Sequence, residues 1–407
     1  MIFKVEAASK GLIHWDQDTD FIEEAQNLSG FGAGICYASA YTPENLNNKY
    51  MDMVKNQNRF HQVIQTAHHS ISDHAVFSVY LGNISKMLAM LLNSLEVYTT
   101  SERSARYTDM SKDIKDPEHL PEVELYNKWK EKLISIIKRE YPNLDDKRCT
   151  KLAMENARYF LSVFNKTTSM LYTASYRQWS YIAQWISKYV EGRKDSKEYF
   201  DVKLCEELLE LRDNIINTGV GTEEIVDTKD RKFRFLSYQC FDSSICTTEY
   251  IGEMYRMKSK MSLACLAQAH RHRTLKYFCK LDTKNFDVFV PPILSPEECS
   301  EWLSDMETVK DKIPQATIVE VVEEGNVEDF ILKCKERLCG RAQLEVALDT
   351  ANKLSRFVKE FTGNPMISEL LCDCVNEDGS LKAKCQLIGS CKEPCEFGAN
   401  GALIRRI

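Results

Sequence analysis

The chain has 407 residues, 43% of them apolar and 28% charged, with a formal net charge of −7. That length suits two domains, each able to bury its own core, in an ordinary globular composition. The negative balance excludes a general attraction to nucleic acid or to an anionic membrane, so an anionic ligand must be met by local arginines. No apolar run is long enough to span a bilayer. The first residues are charged early and lack the long apolar centre of an export signal, so a cytoplasmic location is expected.

Met51–Thr66 and Ile84–Leu95 carry helical apolar spacing. Asp73–Tyr80 is short, aromatic and β-branched, and is expected to be a strand. Lys128–Glu140, Ala153–Phe164 and Thr173–Val190 are expected helices. Gly219–Arg234 is polar and charged and reads as a linker, which sets domains at 1–218 and 235–363. The second domain is expected to hold a strand at Arg234–Phe241, a helix at Glu253–His270 and an extended Phe286–Val290. A strand at Ala316–Val322 and one or two helices within Val327–Phe361 follow. The tail, 364–407, has little apolar period. Helices and strands without regular βαβ alternation predict an α+β fold. There is no phosphate loop and no GxGxxG, so neither an ATPase nor a dinucleotide-binding domain is supported.

Two segments share one build. Ser85–Tyr107 overlays Met261–Arg273 and its continuation without gaps, Ser85 falling on Ser262 and Leu91 on Gln268. Ser94-Leu95-Glu96 falls on Arg271-His272-Arg273, and Glu102, Ser104 and Arg106 fall on Cys279, Leu281 and Thr283. One copy has lost the basic triplet, the other the Glu-x-Ser-x-Arg segment. A tandem repeat with complementary losses points to one site built from both copies.

The triplet has two readings. Cations at a helix C-terminus meet the negative end of the dipole, for about 0.3–1 kcal/mol. Alternatively, planar guanidinium groups clamp an oxyanion by paired hydrogen bonds. Gln268, three residues before Arg271, shares its helix face and suits the edge of a pyrimidine or a flavin.

These motifs resemble the flavin-dependent thymidylate synthases, whose signature is R-H-R, seven residues, then S-x-R-Y. Ser104-Ala105-Arg106-Tyr107 stands at that distance from Ser94-Leu95-Glu96. His68 to Phe77 resembles the family's H-x-S-x-x-E-H-x-x-F, with Asp73 for Glu. Cys36-Tyr37 with Ser39 resembles its N-terminal loop, Asn156-Ala157-Arg158 with Leu161 its A-R-x-x-L, and Ser175-Tyr176-Arg177 its N-A-R. In the second copy Pro314-Gln315, Asn326 and Arg337 resemble the stretch from L-P to L-R, and Arg341 to Glu345 the A-Q-W-E.

The resemblance implies two tandem domains of that fold and reductive methylation of dUMP to dTMP. FAD is the implied cofactor, and NADPH and methylenetetrahydrofolate the co-substrates. It implies nucleotide contacts from Glu102, Ser104, Arg106, Arg158, Gln268, Arg271 and Arg337, with Arg271, Gln268 and Ser104 nearest the chemistry. It implies flavin or folate contacts from His68, Arg177, His272, Arg273 and Asn326, and a homodimer giving a four-domain assembly. Each residue also has a plain reading: His68 and His74 as half-buried histidines, Arg158 and Arg337 as helix-surface ion-pair partners of small worth. A hydroxymethylated product, or a silent nucleotide-binding protein, are the competing functions.

Fifteen cysteines without an export signal argue against a disulfide framework. Cys372, Cys374, Cys385, Cys391 and Cys395 crowd the tail and are expected to supply a zinc site; free thiols or redox disulfides are the alternatives.

Overall fold

The computed structural model describes residues 1–10, 20–37, 43–66, 68–95, 98–106, 108–226, 249, 251–272, 274–281, 286–360, 365–387 and 395–407. The fold is α+β. No helix of the described residues is long and apolar enough to cross a membrane. The chain forms two compact units, Met1–Arg103 with Lys166–Lys232, and Ser104–Asn165 with Phe233–Ile407. Residues 104–165, expected inside the first domain, thus pack with the later half of the chain.

The strands in chain order are β1 (Ile2–Ala8), β2 (Val76–Ile84), β3 (Thr99–Glu102), β4 (Thr168–Ser175), β5 (Met254–Ser262), β6 (Lys276–Lys280) and β7 (Ile318–Asn326). The first unit carries an antiparallel sheet in the order β1-β2-β4-β3, the second one in the order β5-β7-β6. The shared part, β2-β4-β3 and β5-β7-β6, agrees in order, and β3-β4 agrees with β6-β7 in register, whereas β2 against β4 has a register shift between Leu81 and Ile84 that β5 against β7 lacks. Thr99 pairs with Thr173 and Glu102 with Met170; Lys276 pairs with Glu324 and Cys279 with Val321. Thr99 and Glu102 are the residues that the overlay of Ser85 on Ser262 places on Lys276 and Cys279.

β2 and β5 also end in the same way. Ser85 caps the helix Lys86–Asn93, accepting from Leu88 N–H, and Ser262 caps Leu263–Ala269, accepting from Cys265 N–H. Each serine is held by one buried carboxylate. Glu207 accepts from Ser85 N–H (2.7 Å) and Oγ (2.5 Å); Glu345 accepts from Ser262 N–H (2.7 Å) and from its hydroxyl. A serine cap that is itself clamped fixes where strand becomes helix.

Burial pushes the Glu345 carboxyl up to about 7, against the lowering effect of Ser262 and Tyr159. The folded value lies above the unfolded one, so this group's stabilising contribution is present below pH 4.5 and is lost as pH rises through 7. Glu345→Gln is expected to remove that slope, so that between pH 5 and pH 8 the parent loses up to about 3 kcal/mol more than the variant does. Urea unfolding at pH 5 and pH 8 checks this; equal pH dependence in both proteins would contradict it.

The core of the second unit joins sequence-distant segments. Trp129, on the helix Leu120–Glu140, lies 4.9 Å from Trp302, on the helix Pro296–Val309, and Phe160 stacks on Trp129 at 6.0 Å. All three are fully buried. Backbone bonds stitch the same segments: Ala316 N–H to Tyr159 O (3.0 Å), Gln315 N–H to Leu161 O (2.9 Å) and Ala264 N–H to Gln315 O (3.0 Å).

Three expectations change. Glu253–His270 is a strand followed by a helix, divided at Ser262; Tyr255, Met257 and Met261 are buried at the spacing of a pleat, not of a helix. The helix expected from Thr173 starts at Tyr176, because Thr173–Ser175 complete β4 and Ser175 is the cap. The helix expected at Ala153–Phe164 ends at Ala157. The strand expected at Arg234–Phe241 lies outside the described residues. The helices Phe21–Tyr37, Tyr199–Thr218 and Pro296–Val309 were not expected.

Candidate active site

In the second unit, residues of both sequence copies meet. The stretch after β3 supplies Ser104 and Arg106; the C-terminal end of the helix Asp146–Ala157 supplies Glu155 and Arg158. The later half supplies Gln268 in the last turn of Leu263–Ala269, Arg271 and His272 just beyond it, and Arg337 at the end of Val327–Arg337.

Arg106 is buried. Its Nε donates to Glu155 Oε2 (2.7 Å) and its Nη2 to Arg341 O (2.5 Å). Its N–H donates to Ser104 Oγ (3.3 Å), an accepting role that leaves the hydroxyl proton for another partner. Arg158 is 1% exposed, so it is not the surface ion-pair partner that its helix position allows. Its Nε donates to Glu155 O (3.1 Å). Burial lowers its pKa, and the charge of Arg106 lowers it further, against Tyr159, Glu155 and Glu345.

Arg337 Nε donates to His272 Nε2 at 2.6 Å. A guanidinium always carries its proton, so that imidazole nitrogen is the acceptor and the ring's proton sits on Nδ1. Burial, then the charges of Arg337 and Lys333, bring His272 down to about 3, so the ring is neutral at physiological pH. Burial lowers Arg337 as well, helped by the positive charges of Arg106 and Arg271. Within a single unit the charge of Arg106 thus acts on Arg158 and on Arg337, and that of Arg271 on Arg337, an arrangement that an anion would relieve.

The loop between Arg337 and the helix Leu344–Glu360 is held at successive carbonyls. Arg148 reaches Gly340 O (3.5 Å), Arg106 reaches Arg341 O (2.5 Å) and Arg405 reaches Ala342 O (2.6 Å). Next along the chain, the Gln343 carboxamide touches Tyr159 Oη at 2.8 Å, and Tyr159 Oη lies 2.9 Å from Glu345 Oε2. With its amide oxygen toward Tyr159, Gln343 also takes Arg158 Nη2 (3.3 Å) and donates to Ala264 O (3.2 Å). Sequence reasoning missed Glu155, Tyr159 and Arg405. Gln343 and Glu345 stood within a recognised motif, whereas Arg405 acts only through tertiary contact.

The remaining expected residues fall elsewhere. Glu102 closes β3 in the first unit, its carboxylate accepting from Lys86 Nζ (2.5 Å) and Asn93 Nδ2 (3.0 Å). His68, exposed, and Arg177 also belong to the first unit; Arg177 pairs with Asp73 and lies over the Tyr181 ring at 5.9 Å. Asn326 caps Val327–Arg337, accepting from Asp329 N–H (2.8 Å). Arg273 and Cys391 lie outside the described residues. Cys372 is exposed, Cys374 is buried beside Cys334, and Cys395 is buried in a small cluster with Ala383 and Ala402. Among the described residues, the group of three metal-capable side chains within 4.8 Å is Asp116, Glu118 and His119, none of them a tail cysteine.

The family model described as thymidylate synthase complementing protein matches residues 19–189. Over that segment the chain is similar to this family, the flavin-dependent thymidylate synthases. The match covers Ser104, Arg106, Arg158, His68 and Arg177, and ends before the basic triplet. No curated protein matches the chain.

Proposed function

We propose that the chain is a tandem-repeat flavin-dependent thymidylate synthase with one hybrid site per chain, converting dUMP to dTMP. The observation that carries this reading is the grouping of Arg106 and Arg158, from the first copy, with Arg271 and Arg337, from the second, in one compact unit. Arg106 and Arg158 hold the nucleotide phosphate by charge-assisted hydrogen bonds, and Ser104 donates its free proton to the nucleotide. Gln268 reads the pyrimidine edge. Arg271 stabilises negative charge that develops on the ring as its carbon becomes nucleophilic. Arg337 fixes His272 as a neutral Nδ1–H donor.

FAD, when bound, supplies the reducing electrons delivered by NADPH, and methylenetetrahydrofolate supplies the carbon. Donor chemistry that suits a flavin is present in the first unit, where Arg177 keeps its guanidinium part-exposed over an aromatic face and His68 is exposed. Asn326 keeps its amide protons while its oxygen caps a helix. Two chains would form the four-domain assembly.

Mass spectrometry of the nucleotide formed from dUMP, methylenetetrahydrofolate, NADPH and FAD tests the reading. The expected product carries a methyl group on the pyrimidine, from protein that shows flavin absorbance. A hydroxymethylated nucleotide, or a colourless protein that takes up no FAD, would contradict it.

A further inference from the structure

Within the second unit, the turn after the helix Pro365–Leu371 is fastened to the helix Val327–Arg337 and brings two buried thiols together. Cys374 N–H donates to Leu371 O (2.8 Å), Lys382 N–H returns to Cys374 O (2.8 Å), and Val375 bridges to Leu381. Lys335, on the helix, pairs with Asp373, and Lys382 Nζ donates to Cys372 O at 2.7 Å. The turn thus aims Cys374 inward, with its Sγ 3.9 Å from Ile331 O. Cys334, three residues beyond Ile331 on the same helix, hydrogen-bonds to that sulfur through its thiol. Cys334 and Cys374 are both buried, whereas the neighbouring Cys372 and Asp373 are exposed.

We propose that Cys374 and Cys334 are a disulfide-forming pair oxidised by peroxide, Cys374 reacting first and Cys334 resolving it. The thiolate is the reactive form of cysteine. The hydrogen bond from Cys334 brings the Cys374 thiol below its usual value, helped against burial by the charges of Lys335 and Lys382. Burial instead holds Cys334 well above that value, as it pushes up Cys149, Cys205, Cys265 and Cys279. The Cys374 sulfur attacks one peroxide oxygen and the O–O bond breaks. Hydroxide leaves and takes up the proton that Cys374 had released, and Cys374 becomes a sulfenic acid. The Cys334 sulfur then attacks the Cys374 sulfur, the S–O bond breaks, and the departing hydroxide takes the Cys334 proton. Two thiols have lost two electrons, and one peroxide has become two waters. An oxidant this small suits a sulfur lying just beneath an exposed turn. The disulfide ties that turn to the helix whose last residue, Arg337, holds His272.

The test exposes the reduced full chain to a small excess of hydrogen peroxide, blocks the remaining thiols in denaturant and maps the peptides without reduction. A peptide cross-linked through Cys334 and Cys374 is expected as the main disulfide product, and dithiothreitol should abolish it. Closing a loop of roughly 40 residues should raise the thermal midpoint of the oxidised protein by roughly 5–10 °C. In Cys334→Ala the sulfenic acid has no resolving partner, so a 1,3-diketone reagent should capture it on Cys374. The peptide map of the parent needs no variant, so a folding defect in Cys334→Ala leaves the test intact. Cys374 left as a thiol, or oxidised without a cross-link, would overturn the proposal. So would a main disulfide that joins Cys374 to any other cysteine.

Discussion

Arg271→Ala is expected to lower kcat/KM for dUMP by about two orders of magnitude, the worth of one or two charge-assisted hydrogen bonds made to developing charge. Arg106→Ala should do the same from the other sequence copy. It also strands the Glu155 carboxylate, so its thermal midpoint must be measured alongside. Ser94, which occupies the position of Arg271 in the first copy, donates its hydroxyl to Leu91 O (2.6 Å) and should tolerate alanine with activity nearly unchanged. Because Arg106 and Arg271 belong to one unit of one chain, mixing the two inactive variants after subunit exchange should restore nothing. Regained activity would place the two halves on different chains.

The largest stability effect is expected at Glu323. Its carboxylate is fully buried and accepts from Lys333 Nζ (2.5 Å), Lys353 Nζ (3.1 Å) and Tyr255 Oη (2.7 Å). Both lysines are buried, and Lys353 also meets Asp349 at 2.8 Å. Although burial opposes ionisation, the two ammonium groups hold Glu323 well below the usual carboxylate range. Its contribution is therefore present above the unfolded value of 4.5 and is lost only as pH falls through a far more acidic range. Glu323→Gln leaves two buried cations short of one negative charge and should cost about 3–5 kcal/mol. In a unit of this size that is roughly 10 °C in Tm. Glu307→Gln, which breaks the exposed Lys310 pair, should leave stability nearly unchanged. A loss at Glu323 no larger than that would show that the network contributes little.

The part of the proposed site that was legible in the sequence lies in short motifs. Gln268, Arg271, Ser104, Arg106, Arg158 and Arg337 all come from them, and the structure gathers them in one unit. The overlay of Ser85 on Ser262 held more than was taken from it. Since a strand leads into Ser85, the same overlay marks Met254–Ser262 as a strand, yet its apolar content ran on into Leu263–Ala269 and read as a single helix. The helix Tyr199–Thr218 escaped notice, and with it Glu207, whose partner Ser85 is 122 residues away. Glu345 and Tyr159 are separated by 186 residues, and their contact depends on residues 104–165 packing with the later half of the chain. Local pattern carries no signal for such pairings. The tail was the least legible part: its cysteines drew attention as metal ligands, whereas the site loop is met by Arg405, on the Ala342 carbonyl, and by Lys384, whose N–H donates to Leu338 O (2.7 Å).

The account rests on one site per chain, assembled from complementary remnants of two copies. Isothermal titration of the FAD-loaded protein with dUMP tests this most directly. One nucleotide bound per chain, with binding lost in both Arg106→Ala and Arg337→Ala, is the predicted result. Two equivalent sites per chain, or full binding in Arg106→Ala, would contradict it.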